Sequence, residues 1–268
     1  MNPLINLWYC VKFDFTRNKW LYQDKKSLFH GVALMFHHVT DDDVDINESC
    51  KCRIEHFHNI LVSYINQKYE FVSVNTALEY IKNKKQSKFV VVTFDDIPDS
   101  VYTNAYPILK EYNIPFTVFI TTSFIDRDGY ITRQHLEELN KETLCTIGAH
   151  TITHPMLRYS PDYYKEISDS KKNLEQIIQR KVEFFAYPFG QYSSVSKRIR
   201  EVAKNAGYSC AFCTIGAPLN ESSSKDIFFL PRFSPTPDEN ALNKYKVTSL
   251  RAFALLVVWP FRRLFHKQ

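Results

Sequence analysis

Short apolar runs of strand length recur along this chain, each followed by a stretch with helical spacing, and this alternation narrows the possible folds more than any other feature. Val32 to Phe36, Phe89 to Phe94, Phe116 to Thr121, Cys145 to Ala149, Phe184 to Tyr187, Tyr208 to Cys213 and Ile227 to Leu230 read as buried strands. Ile54 to Ile65 spaces its apolar residues helically, and Ala77 to Ile81 makes a shorter helix behind an Asn75 cap. Segments 99–112, 132–141, 161–179 and 194–206 continue the series, with Asp162 to Gln179 the clearest and Gly207 a stop for the last. Repeated strand–helix–strand units predict an α/β fold with a parallel sheet and outer helices, either doubly wound or closed into a barrel. Both forms put their chemistry at the carboxyl ends of the strands.

A chain of 268 residues with 44% hydrophobic and 24% charged residues buries a large core, which excludes a disordered or collagen-like protein. The net charge of +5 is too small to call for nucleic acid and mildly favours an anionic substrate or surface. Cys10, Cys50, Cys52, Cys145, Cys210 and Cys213 are too few for a disulfide framework, and the N-terminus has no secretory pattern. The expectation is a reduced, cytoplasmic protein. The longest apolar run, Ala252 to Phe261, falls short of a membrane span. Flanked by Arg251, Arg262, Arg263 and Lys267, it suits an anionic membrane surface or a last helix packed on the domain. The expected organisation is an extension over 1–27, a catalytic domain over 28–246 and a tail over 247–268.

Three strand ends carry candidate chemistry. Phe89 to Phe94 runs into Asp95 and Asp96, and adjacent carboxylates repel unless a cation or proton intervenes. Strand alternation would send them to opposite sides and give them different tasks. Alone, the pair is equally well a turn signal. Ile147 to Ala149 runs into His150 and His154, which Pro155 keeps out of regular helix, in a loop whose single turn can still converge on one ion. Two His with one Asp leave coordination positions open, as catalytic metal sites do. Phe184 to Tyr187 runs into Pro188, Phe189 and Gly190, a sharp turn that either presents amides to an oxyanion or simply leads to the next helix. Earlier, His37 and His38 end the first strand, and only one can face a site there. Cys50-x-Cys52 and Cys210-x-x-Cys213 have ligand-like spacing, but core thiols explain them more simply.

With TFDD at 93–96, HTITH at 150–154 and YPFG at 187–190 in this order, the chain resembles the polysaccharide deacetylases with NodB homology, carbohydrate esterase family 4, over roughly residues 28–235. The resemblance implies a deformed (β/α) barrel that hydrolyses an N-acetyl group on a sugar, usually with zinc or a similar divalent metal. It implies that Asp95 is the general base, that Asp96, His150 and His154 bind metal, and that the backbone at Phe189, with Tyr187 beside it, serves the oxyanion and substrate. Phe36-His37 matches the early motif of a subgroup similar to biofilm-polysaccharide deacetylases, which makes His37 the catalytic acid. Two departures stand out: the usual TFDDG is TFDDI here, and the motif arginine that orients the catalytic Asp is Ala186. Arg232, in Leu-Pro-Arg-Phe, is the candidate replacement, with a surface arginine as the alternative.

Without an export signal, the expected substrate is a nucleotide-linked or lipid-linked N-acetylated sugar, met in the cytoplasm or at the inner membrane face. Two other readings fit the residues: an inactive relative that binds carbohydrate or a partner, and a hydrolase of the same fold acting on a formamide or another C–N bond.

Overall fold

β5 (Lys88–Phe94) organises the sheet, because its run of Phe, Val and Thr is buried from Phe89 onward, as expected of a parallel strand covered on both faces. The protein is described by a computed structural model covering residues 30–42, 50–85 and 87–235, all within one unit, Leu28–Pro235. The other strands are β1 (His30–Phe36), β2 (His38–Val39), β3 (Lys51–Cys52), β4 (Glu70–Phe71), β6 (Phe116–Ile120), β7 (Cys145–Ala149), β8 (Phe184–Ala186) and β9 (Cys210–Phe212). Their order is β1-β5-β6-β7-β8-β9, with β4 also on β5 and β2 paired separately with β3, and every pairing is parallel. The helices are α1 (Ile54–Asn66), α2 (Val74–Lys82), α3 (Tyr106–Glu111), α4 (Arg133–Lys141), α5 (Tyr163–Ile178) and α6 (Lys197–Asn205).

Among the described residues, no eighth strand closes the sheet. Instead an irregular segment crosses from β9 to β1: Leu230 bridges Phe212, and Phe233 bridges Leu34. This is the deformed barrel, and the segment that closes it carries Arg232. Phe89, Val91, Phe119, Phe184, Phe212 and Leu230 belong to one buried core cluster. Gly148 makes room for it, since a Cβ there would meet the Phe119 ring at 2.6 Å.

Three local expectations need correction. Ile227 to Leu230 is not a strand, because the turn from Asp226 to Phe229 breaks the ladder before Leu230 reaches β9. α2 is capped by Ser73, whose hydroxyl accepts the Thr76 N–H, so Asn75 lies inside the helix. Segment 99–112 is a π-helical turn, Val101–Ala105, running into α3. Among the described residues, no helix is long and apolar enough to cross a membrane. The basic, apolar tail over 247–268 and the extension over 1–27 lie outside the described residues.

Candidate active site

The level register of β1 and β5, with Phe36 opposite Phe94, sets the residues after each strand side by side, and the Asp95 N–H donates to Phe36 O at 2.9 Å. Asp95 is 2% exposed and Arg232 is fully buried. Arg232 Nη1 and Nη2 each donate to one Asp95 oxygen at 2.6 Å, a bidentate pair. The remaining guanidinium donors reach Thr93 Oγ1 and Cys213 O, both at 3.1 Å, while Thr93 donates to Leu34 O at 2.7 Å. Each of the three guanidinium nitrogens therefore donates at least once, which is what a fully buried cation requires. Burial alone would raise the Asp95 carboxyl, but the Arg232 charge outweighs it and holds the group below the usual carboxylate range.

Asp96 does not continue the strand. Its φ is +64° and that of Ile97 is +59°, left-handed values that cost about 1–3 kcal/mol each for residues other than glycine. Strand alternation does not extend to Asp96 for this reason: its backbone has already left the extended conformation. The left-handed Ile97 also explains why glycine suits this position, and its buried side chain is what the exchange adds.

β7 ends at Ala149, and the loop beyond it returns His154 toward His150 through left-handed Thr151 and His154. Ligand atoms of Asp96, His150 and His154 all lie within 4.8 Å of one another. His150 Nε2 and His154 Nε2 approach Asp96 Oδ1 at 3.6 and 3.3 Å, yet that oxygen is buried without a hydrogen-bond partner. His150 Nδ1 lies 2.8 Å from Ala186 O, which can only accept, so that nitrogen carries the proton and Nε2 offers a lone pair. Burial keeps both imidazoles neutral by lowering their pKa values. Two lone-pair donors facing an orphaned carboxylate oxygen fit a divalent cation. Burial and, less strongly, the neighbouring Asp95 charge raise Asp96 to about 6, although His37 works against them.

His37 is partly buried just past the end of β1, close enough for its charge to act on both carboxylates, whereas His38 turns into β2 and is lowered to about 4 by burial and then by His37. Phe189 is 49% exposed, with its ring 5.0 Å from that of His154. Tyr187 is a correction: it is fully buried and donates its hydroxyl to Phe228 O at 3.0 Å, so its side chain supports the core and cannot touch a substrate. Cys210 and Cys213 are buried, and burial raises both thiols, that of Cys213 to about 12, which leaves them protonated core residues.

Motif spacing did not reveal the supports of the site. Ser100 precedes the π-turn and Asn104 lies within it. Ser100 Oγ accepts the Val39 N–H at 3.2 Å, and Asn104 Nδ2 donates to Val39 O at 2.8 Å, which fixes the chain just past His37. Glu166 of α5 accepts hydrogen bonds from the ligand loop.

Fold and site define an α/β barrel protein with a candidate metal centre at the carboxyl ends of its strands. The polysaccharide deacetylase family profile matches residues 82–211. Over 184 residues the chain is 28% identical to the poly-beta-1,6-N-acetyl-D-glucosamine N-deacetylase of Staphylococcus aureus strain MRSA252, covering 61% of each protein. It thus spans about three-fifths of the length of that curated relative. The Streptococcus pyogenes deacetylase PplD, solved with acetate, superposes with a TM-score of 0.71 at 24% identity, over 81% of this chain and 98% of that one. IcaB from Ammonifex degensii gives 0.67 at 23%, over 78% and 93%. These two likenesses show the fold. The chain is thus similar to the polysaccharide deacetylases over residues 82–211.

Proposed function

We propose that this protein is a metal-dependent carbohydrate N-deacetylase that hydrolyses the acetamide of N-acetylglucosamine units in a polysaccharide, with zinc as its metal. The observation that carries the reading is the orphaned Asp96 Oδ1 facing two imidazole nitrogens, beside a carboxylate whose two oxygens are both held by Arg232. The activity of the staphylococcal relative, a poly-beta-1,6-N-acetyl-D-glucosamine N-deacetylase, supports the choice of sugar.

Asp96, His150 and His154 would hold the metal. When bound, it supplies Lewis acidity that polarises the acetamide carbonyl and makes water nucleophilic near neutral pH. Asp95 accepts the proton of the attacking water. Arg232 takes the part of the missing motif arginine: it aims the carboxylate and keeps it ionised, at the expense of basicity, while each oxygen keeps a lone pair free. The Phe189 amide donates to the developing oxyanion, and the exposed Phe189 ring covers the His154 side of the site. His37 gives its proton to the departing sugar amine, a poor leaving group until protonated.

The test is acetate release, with and without zinc, from poly-β-1,6-N-acetylglucosamine, chitin oligomers, nucleotide-linked and lipid-linked N-acetyl sugars. Zinc-dependent release from the polymer is expected. Formate release, or none from a zinc-loaded protein, would turn the reading to another acyl group or to a binding relative. Asp95→Asn should keep its zinc and lose about 10²–10⁴ in rate. A normal rate would remove Asp95 as base.

A further inference from the structure

We infer that Glu166 is a positioning residue of the metal centre, clamping from outside the loop that carries His150 and His154; this rests on the metal-site reading above. Glu166 stands in the first turn of α5. Its Oε2 accepts the N–H groups of Ile152 and Thr153 at 2.9 and 3.0 Å, and its Oε1 accepts the Thr153 hydroxyl at 2.8 Å. Two consecutive amides converging on one carboxylate oxygen form a charge-assisted grip on the residues between the two histidines.

The loop is held on its other side through its carbonyls. Thr121 Oγ1 donates to His150 O at 3.1 Å, Thr122 N to Thr151 O at 3.2 Å, and Ser123 N to Ile152 O at 2.9 Å. The loop is thus strung between the end of β6, which takes its carbonyls, and a helix carboxylate, which takes its amides. Such a support is needed because Thr151 and His154 hold φ values of +71° and +59°, which persist only where the surroundings over-determine them. His150 has anchors of its own, with its N–H on Ile120 O and its Nδ1 on Ala186 O. His154 depends on the loop, its N–H donating to Thr151 Oγ1 at 3.0 Å. Glu166 therefore acts on the metal through His154.

The experiment is a cobalt(II) titration of Glu166→Gln and Glu175→Gln beside the parent, reading affinity and the visible absorption bands. Glu175 is the control: on the same helix it also accepts a backbone N–H, from Val182 at 2.9 Å, and pairs with Lys171 at 3.2 Å. Glutamine at 166 keeps the size of the side chain but loses the charge and can turn a donor toward an amide. Glu166→Gln should bind cobalt about 10- to 100-fold more weakly with altered bands, as loss of an outer-shell partner does, while Glu175→Gln matches the parent. Parent-like affinity and bands in Glu166→Gln, or equal losses in both variants, would overturn the proposal. Amide exchange of Ile152 and Thr153 in the metal-free proteins reads the clamp independently, and should accelerate in Glu166→Gln alone. If the parent takes up no cobalt, the metal-centre reading falls; the clamp then stands on faster exchange in Glu166→Gln and falls on unchanged exchange.

Discussion

Arg232 and Asp95 stand 137 residues apart in the chain and meet through two hydrogen bonds where no water enters. Removing one partner of such a pair leaves an uncompensated buried charge, so Arg232→Met should lose about 3–5 kcal/mol of stability by urea denaturation. A loss below about 1 kcal/mol would show that Asp95 is solvated or neutral without it. Arg232→Lys should recover only part, because an ammonium cannot occupy both carboxylate oxygens and still reach Thr93 and Cys213. Asp96 sets the pH response. Its carboxyl, raised to about 6 in the metal-free protein, must lose its proton to act as a ligand, so proton and metal compete there. The sign follows: affinity is full above about pH 6 and falls up to about tenfold per unit as pH drops below it. Zinc titrations at pH 5 and 7 with equal affinity would show that Asp96 is not a ligand. The identities of Asp95, Asp96, His150 and His154 were legible because each follows an apolar strand within a few residues. The inward turn of Tyr187 was not, because strand alternation does not say which face of β8 meets the core and which the site.

The elements present the site by ending level with one another. β7 runs so close to its neighbours that a Cβ at Gly148 would meet the Phe119 ring at 2.6 Å and Phe184 O at 3.0 Å. Gly148→Ala should therefore cost about 1–3 kcal/mol through overpacking, read as a lower denaturation midpoint, although alanine suits a strand no worse than glycine. A neutral result would mean that β7 can shift away from Phe119. Strand positions read well from the apolar runs. Boundaries read less well where hydrogen bonding overrides composition: Ile227 to Leu230 has the residues of a strand, but the Asp226–Phe229 turn denies it a ladder. The π-turn after Asp96 could not be anticipated, since its register depends on where Ser100 and Asn104 find Val39.

For the whole molecule, a metal held by Asp96, His150 and His154 would link two separate stretches of chain, the end of β5 and the loop after β7, so its binding should stabilise the entire barrel. At free zinc near 100 times Kd the gain is about 2.7 kcal/mol, and excess chelator should bring the unfolding temperature back down. No dependence of that temperature on zinc would argue against a site formed only in the folded state. The alternation of apolar and helical segments was enough to determine a parallel α/β sheet with its chemistry at the strand ends, and left the choice between a doubly wound sheet and a barrel to the motif resemblance, because strand and helix periodicities, and the turn that follows a strand, are properties of neighbouring residues. Tertiary structure alone decided that segment 230–233 closes the barrel in place of a strand, that Arg232 grips Asp95, and that Glu166 grips the histidine loop. These contacts join residues whose separation along the chain carries no period, and only the packing of the closed barrel brings their charges to one place.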